Sequence, residues 1–572
     1  MPFQVSPGVN VSEIDLTTVI PAVSTTEGGI AMHAVWGPVD QRVLIGAEDQ
    51  LAATYGTPNS NTYSDFFTAA SFLSYGNKLY VNRVIRSSNV GTLSSDSAAG
   101  RNAQTNAANT KNTIIKNESD YEDNYSSGIT GVGLWVAKYP GALGNTLRVS
   151  ACRTSNAFSS TANGTLSFTN NSVSSSAPNS AWAATLVAGD ILIAGPDRYE
   201  VKVASVSGET ITLANKYIGN TVTTQSLVQR RWEFASYFDR APGTSAAAAR
   251  ESSSNDEMHI VVADEDGRIT GTANTVLERF SSISKAADAK NEDGSTNYYV
   301  NVINQNSRYV WWAADMTGVT HAGKNVTAGL DFRAGLQKVI LNASFGLGRD
   351  GGLPRAADYI NGLNEFANPE VVDVSFILTG DGNQTVAIHA INNIAEVRKD
   401  CLAIISPRRA DVVNNSGYVG AEMDDIIAFR NLLPSSSYAV MDGNYKYAYD
   451  KYNDLYRYVA LNGDTAGLMV RTDNERDPWY SPAGFNRGQV KNVIKLAFNA
   501  SKGQRDQLYK AGVNPVVTFP GQGTVLFGDK TLLSKPSAFD RINVRRLFIV
   551  LEKAISTSAK FTLFEFNDDF TR

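Results

Sequence analysis

MDGNYKYAYDKYNDLYRYVALNGDTAGLMVRT occupies residues 441–472, and SPAGFNRGQVKNVIKLAF follows it at 481–498. Tyr445, Tyr447 and Tyr449 recur at every second position, and Tyr452, Tyr456 and Tyr458 come after them. Lys446, Asp450, Lys451 and Asp454 fill positions between. Aromatic residues at period two predict a strand with one half-buried face. In the second stretch Val490, Val493, Ile494, Ala497 and Phe498 recur three and four apart, which predicts a helix over 489–510, bent or interrupted at Gly503. Residues 481–484 are the loop between them. Tyrosines interleaved with Lys446, Lys451 and Arg457 could also stack nucleic-acid bases; an ordinary amphipathic strand is the preferred reading.

Working upstream, apolar strands at 371–379, 401–406 and 438–441 alternate with amphipathic helices at 384–399 and 421–431. That order is βαβ and predicts a covered, largely parallel sheet. Residues 22–86 read the same way: a strand at 29–36, helices at 47–55 and 63–75, a strand at 78–85. The rest is mixed. Strands are expected at 134–137, 147–152, 258–263, 268–271, 298–303 and 309–312, and a helix at 276–283. Residues 87–128 and 155–180 are rich in Ser, Asn, Ala and Thr and read as exposed linkers. Between 189 and 219 short strands at 191–194, 199–203 and 210–213 predict a small β insert. After 540 a helix to about 556 carries Val544, Leu547, Phe548, Leu551 and Ile555 as its apolar face, with Arg541, Arg545 and Arg546 on the complementary face. A final strand is expected at 560–566.

At 572 residues the chain exceeds a single core, so roughly three or four domains are expected. A net charge of −5 argues against a surface built mainly to grip nucleic acid. Two cysteines, Cys152 and Cys401, exclude a disulfide scaffold and form no CxxC. MPFQVSPGVN has neither a basic n-region nor an apolar h-region, and no run of apolar residues is long enough to span a bilayer, so neither a secretory signal nor membrane insertion is expected.

Little in the sequence points to catalysis. His33, His259, His321 and His389 are scattered, and no metal, P-loop or nucleophile motif occurs. The acidic turn Asp264-Glu265-Asp266-Gly267 lacks the other ligands of a calcium loop and reads as a hairpin turn. Gly346-Leu347-Gly348-Arg349-Asp350-Gly351 is a formal GxGxxG after a strand and before a helix at 356–366. It supports an alternative reading as a nucleotide-binding αβ enzyme. Pro354 stands where the phosphate-binding helix should begin, so a flexible Gly-rich loop is preferred.

DGNYKYAYDKYND, SPAGFNRGQ and FDRINVRRLF (residues 539–548) closely resemble the contractile tail sheath proteins of T-even-type bacteriophages. The opening SPGV, the strings WGP, LYVNRVI and YPGALGN, and the Gly-rich loop are similar to the same family at corresponding places. The resemblance implies a structural protein without catalytic residues, metal or cofactor, which polymerises as stacked hexameric rings around a tail tube. It implies self, tube, baseplate and tail terminator as partners, with no direct nucleic-acid contact, and a place in the virion tail after assembly in the host cytoplasm. It also implies that the family continues past residue 572, so this chain would be a truncated form that can remain monomeric.

The expected fold is a multidomain α+β and α/β chain: a mixed-sheet αβ core with βαβ units, a C-terminal αβ domain, and an inserted small β domain facing outward. The expected division is an N-terminal arm at 1–21, a middle αβ domain from 22–86 plus 337–480, a second αβ domain from 87–153 plus 255–336, the β-rich outer insert at 154–254, and an incomplete inner domain at 481–572. In the resembled family the outer insert precedes the YPG string; here it follows. Val9, Asn10, Val11, Ser12, Glu13 and Ile14 alternate like a short strand, which needs a sheet edge to pair with and is the expected inter-subunit arm. Arg541, Arg545 and Arg546 are the expected tube-facing contact.

Overall fold

The computed structural model describes residues 25–86, 100–106, 113–162, 166–176, 185–194, 198–225, 228–316, 321–333, 340–415, 417–560, 563–564 and 566. The centre is a six-stranded sheet in the order Arg42–Ile45, Leu79–Val84, Gly28–His33, Phe376–Leu378, Leu402–Ile405, Ala439–Met441. All neighbours pair in parallel except Arg42–Ile45, which runs antiparallel to Leu79–Val84. Its strands are short apolar runs buried on both faces, as parallel sheets require. Helices Tyr63–Leu73, Ala356–Asn364 and Ala421–Asn431 cover it. Ile30, Phe72, Phe376, Ile404 and Val440 lie in its core, and so do Leu508, Leu532, Ile542 and Ile549 from the C-terminal region.

A second core is built on the antiparallel sheet Thr275–Ser284, Glu257–Asp264, Leu147–Cys152, Ile340–Ser344, with a three-stranded sheet of Val310–Trp312, Trp135–Pro140 and Asn102–Gln104 beside it. An eight-stranded antiparallel sheet runs from Ser159–Ala162 to Val228–Arg231 and has a core of its own around Phe168, Leu192 and Tyr217. Arg83 ties the first two regions together. Its fully buried guanidinium donates to the carbonyls of Ala34, Gly37 and Pro140 at 2.7–2.9 Å. Burial lowers its pKa to about 10, still protonated at neutral pH.

Several expected elements are different. The tyrosine stretch is two strands, Tyr445–Asp450 and Leu455–Ala460, joined by a four-residue turn, not one long strand. The residues after it, Asn462–Glu475, are a helix. The helix expected over 489–510 is only Lys502–Lys510, started by a Ser501–Gln504 capping box. Before it the backbone pairs outward: Val490 N–H donates to Thr524, and Ile494 and Ala497 N–H donate to Tyr447 and Tyr445. Apolar residues spaced three and four apart are there used singly along an extended chain.

Tertiary pairing likewise makes 276–283 a strand, Thr275–Ser284, against Glu257–Asp264, so the expected 268–271 strand is instead part of the intervening loop. Tyr299–Asn306 is a helix, not a strand. The linkers at 87–128 and 155–180 contain ordered elements. Asn102–Gln104 is a buried strand, and Leu166–Phe168 and Ser172–Ser176 belong to the eight-stranded sheet. Residues 560–566 lie partly outside the described residues, and Leu563 and Phe564 form a turn.

Candidate assembly interface

The sheet has two ends with different chemistry. At the carboxyl end, its loops meet the tyrosine hairpin. Asp442, one residue past Met441, accepts from Ser406 Oγ at 2.7 Å. Asn462 Nδ2 donates to the Gly380 carbonyl at 2.6 Å and to Ser406 Oγ at 3.0 Å. The fully buried Tyr445 hydroxyl lies 2.6 Å from Asp381 Oδ1. Burial raises the Asp442 carboxyl to about 8.

The inward side of the hairpin carries Lys446, whose Nζ is 2.7 Å from Asp464 Oδ2. Both groups are buried, so the cost of taking them out of water offsets most of what the pair gains. Burial raises the Asp464 carboxyl, and Lys446 opposes that shift. Tyr447, Tyr449, Tyr456 and Tyr458 share the opposite side, with Tyr447 opposite Tyr458 and Tyr449 opposite Tyr456. Tyr458 packs on the core, while Tyr449 and Tyr456 are exposed.

At the amino end lies the helix Ile542–Ala559. It is turned around relative to expectation. Arg545 and Arg546 are only 7% and 4% exposed, whereas Phe548, Leu551 and Ile555 of the expected core-facing stripe are exposed. The physical reason is that both guanidinium groups find partners inside. Arg545 lies over the rings of Tyr438 and Phe539, at 4.2 and 3.9 Å from their centroids. Arg546 makes a two-pronged ion pair with Asp473 and reaches the Thr25 carbonyl. Ile542 and Ile549 supply the apolar anchor. Arg541, at the start, is half-exposed and pairs with Asp529 at 2.8 Å. The other expected contact, Val9 to Ile14, lies outside the described residues.

The Gly-rich loop is not arranged as a phosphate cradle. Gly346 N–H donates to the Gln104 carbonyl, Gly348 N–H to Asn145 Oδ1 and Arg349 N–H to the Arg101 carbonyl. A Cβ on Gly348 would stand 2.4 Å from the Gly141 carbonyl, so this glycine serves close packing. The strand before it belongs to an antiparallel sheet, not a βαβ unit. This weighs against the nucleotide-site alternative: the amides of Gly346, Gly348 and Arg349 are already donated within the chain.

The strand order does reverse between Gly28–His33 and Phe376–Leu378, where open α/β sheets bind ligands. There Asp65 accepts from the His33 amide at 2.9 Å and the Tyr359 hydroxyl at 2.6 Å, so the chain's own groups occupy the crevice. Burial raises the Asp65 carboxyl to about 6 and lowers His33 to about 4. Asp264 of the acidic turn is likewise satisfied by Thr146, Ile269 and Thr270. Sequence reasoning missed the outward stripe on the C-terminal helix, because Tyr438 and Asp473, which hold Arg545 and Arg546 inside, lie far away in the sequence.

Comparison with known proteins gives a consistent answer. A family model described as phage tail sheath protein central domain matches residues 354–532. The tail sheath protein of Vibrio phage KVP40 is 31% identical, covering 99% of this chain and 88% of that one. That of Salmonella phage ViI is 31% identical over 100% of this chain and 86% of its own length. The tail sheath protein of Enterobacteria phage T4 is 46% identical over 38% of this chain and 35% of its own. Similarity to whole tail sheath proteins along essentially the entire sequence means that this chain belongs to the tail sheath protein family of tailed bacteriophages.

Proposed function

We propose that the chain is the structural subunit of a contractile tail sheath. It polymerises as stacked hexameric rings around the tail tube and contracts by rigid-body subunit movement, driving the tube through the host envelope for genome delivery. The carrying observation is the 31% identity with the KVP40 tail sheath protein over 99% of the chain. Its partners are further copies of itself, the tube protein, the baseplate and the tail terminator. It resides in the virion tail after assembly in the host cytoplasm. The reading is non-enzymatic and is supported by a Gly-rich loop whose amides are donated internally. Energy for contraction comes from the larger surface that subunits bury against one another in the contracted state.

The proposed division is 22–86 plus 337–480 as the middle domain, 87–153 plus 255–336 as the second, 154–254 as the outward β insert and 481–572 as the inner domain, with two corrections: Ile340–Ser344 pairs within the second domain's sheet, and Leu508, Leu532, Ile542 and Ile549 share the middle domain's core. Residues 1–21 are the arm, with Val9 to Ile14 pairing at a neighbour's sheet edge. The proposed tube contact is the arginine end of the C-terminal helix, where half-exposed Arg541 pairs with Asp529 and Arg545 and Arg546 anchor the helix. The test is electron microscopy of the protein expressed with its tube protein. Sleeves of uniform width are expected, and their loss on deletion of residues 1–20, with circular dichroism unchanged. A protein that leaves the tube bare overturns the sheath reading; sleeves from the deletion overturn the arm.

A further inference from the structure

The two ends of the central sheet carry unlike exposed patches. At the carboxyl end the tyrosine hairpin extends past the core. Tyr447 and Tyr456 stack at 5.5 Å, Tyr456 and Tyr449 lie 5.2 Å apart, and Lys495 Nζ stands 5.0 Å from the Tyr447 ring centre. Tyr449 is 48% and Tyr456 51% exposed. At the amino end the C-terminal helix shows Phe548, Leu551, Glu552 and Ile555, spaced as one stripe along the helix. Leu551 is 45% and Ile555 66% exposed, and Glu552 is exposed between them.

Helix Asn462–Glu475 separates the patches. It begins beside Gly380 and Ser406 at the carboxyl end and finishes with Asp473 against Arg546 at the amino end. Fourteen residues make it about 21 Å long, so one copy cannot fold one patch onto its other.

Resting on the sheath reading, we infer that these patches meet between successive copies of the chain: the tyrosine face of one copy receives the Phe548–Leu551–Ile555 stripe of the next. The pairing is chemically matched. Tyrosines supply large, stiff amphipathic contact area, and aliphatic side chains fill it. Lys495 on the tyrosine face, beside Asp454 at the Tyr449 hydroxyl, supplies the cation that Glu552 of the stripe can pair with. Because the surfaces differ and lie at opposite ends of a rigid sheet, the contact is heterologous and propagates as a stack.

The test uses Tyr456→Asp and Leu551→Asp, each blocking one face, with sedimentation as readout and thermal melts as the folding control. The parent is expected to self-associate progressively and each variant to stay monomeric. An equimolar mixture should give a one-to-one dimer and nothing longer, since one intact face of each kind survives. Glu552→Lys should weaken association and Lys495→Glu should restore it in the double variant. A monomeric parent, variants that associate as the parent does, or a mixture that stays monomeric overturns the contact. So does a Leu551→Asp protein that self-associates normally but no longer binds tube, which would assign the stripe to the tube. Sleeves formed equally by parent and variants would remove this contact and leave the sheath reading intact, whereas a parent that self-associates through these patches but leaves the tube bare fails the sheath reading and keeps the contact.

Discussion

Asp442 and Asp65 are carboxylic acids held in the core by burial, raised to about 8 and about 6 from an ordinary 3.8. Raised acids keep protons in the folded state that the unfolded chain has already released. The stability they contribute is complete below the unfolded value and lost as pH rises through the folded one. The melting temperature should therefore fall between about pH 4 and about pH 8. Asp442→Asn removes the larger part of this. It should flatten the profile and melt above the parent at pH 8, because its amide can still accept from Ser406 without a charge to bury. A variant profile that slopes as steeply as the parent's would show that Asp442 is ionised at neutral pH. Cys401, fully buried and pushed up to about 12, stays a thiol across the same range and contributes nothing to the slope.

Legibility in the sequence followed how local each element's causes were. Leu147–Cys152 and Ala421–Asn431 have the expected bounds because their apolar period agrees with their final environment. Helix Asn462–Glu475 was unreadable because Gly463 and Gly467 lower helix propensity. Its reason is tertiary. A Cβ on Gly463 would stand 2.1 Å from the Thr68 carbonyl, and one on Gly467 2.3 Å from the Tyr75 ring, on the neighbouring helix and just past its end. Arg545 and Arg546 misled in the same way, since nothing in their own segment says that Tyr438 and Asp473 will meet them. The glycine argument has a direct test by urea denaturation. Gly467→Ala should cost about 1–3 kcal/mol by overpacking. Gly503→Ala, in the first turn of Lys502–Lys510 with open space around it, should gain about 0.5–1 kcal/mol. Equal effects would mean that helix propensity, not close approach, governs both.

At the scale of the molecule, the eight-stranded sheet leaves and rejoins the rest at one place. Ser159 pairs directly opposite Arg231, and the Trp232 amide donates to the Phe158 carbonyl at 3.0 Å. Everything between forms its own core around Phe168, Leu192, Val203 and Tyr217. Among the described residues, its attachments outside that core include Lys202 on Glu233, Asn342 on the Ala188 carbonyl, and Val187 packed against the Trp232 cluster. Trp232, Phe234 and Phe238 pack instead with Cys152, Val261 and Ile340, and they remain if the sheet is cut away. Opposed residues in an antiparallel pair sit about 5 Å apart, so a short glycine linker spans the gap. Replacing residues 160–230 with such a linker should leave cooperative unfolding of the remainder, with about 1–2 kcal/mol lost from the severed surface contacts. The tyrosine face and the C-terminal stripe belong to the other core, so self-association should survive the excision unchanged. Loss of cooperative unfolding would show that the sheet completes the second core, and loss of association alone would move the contact between copies onto the eight-stranded sheet.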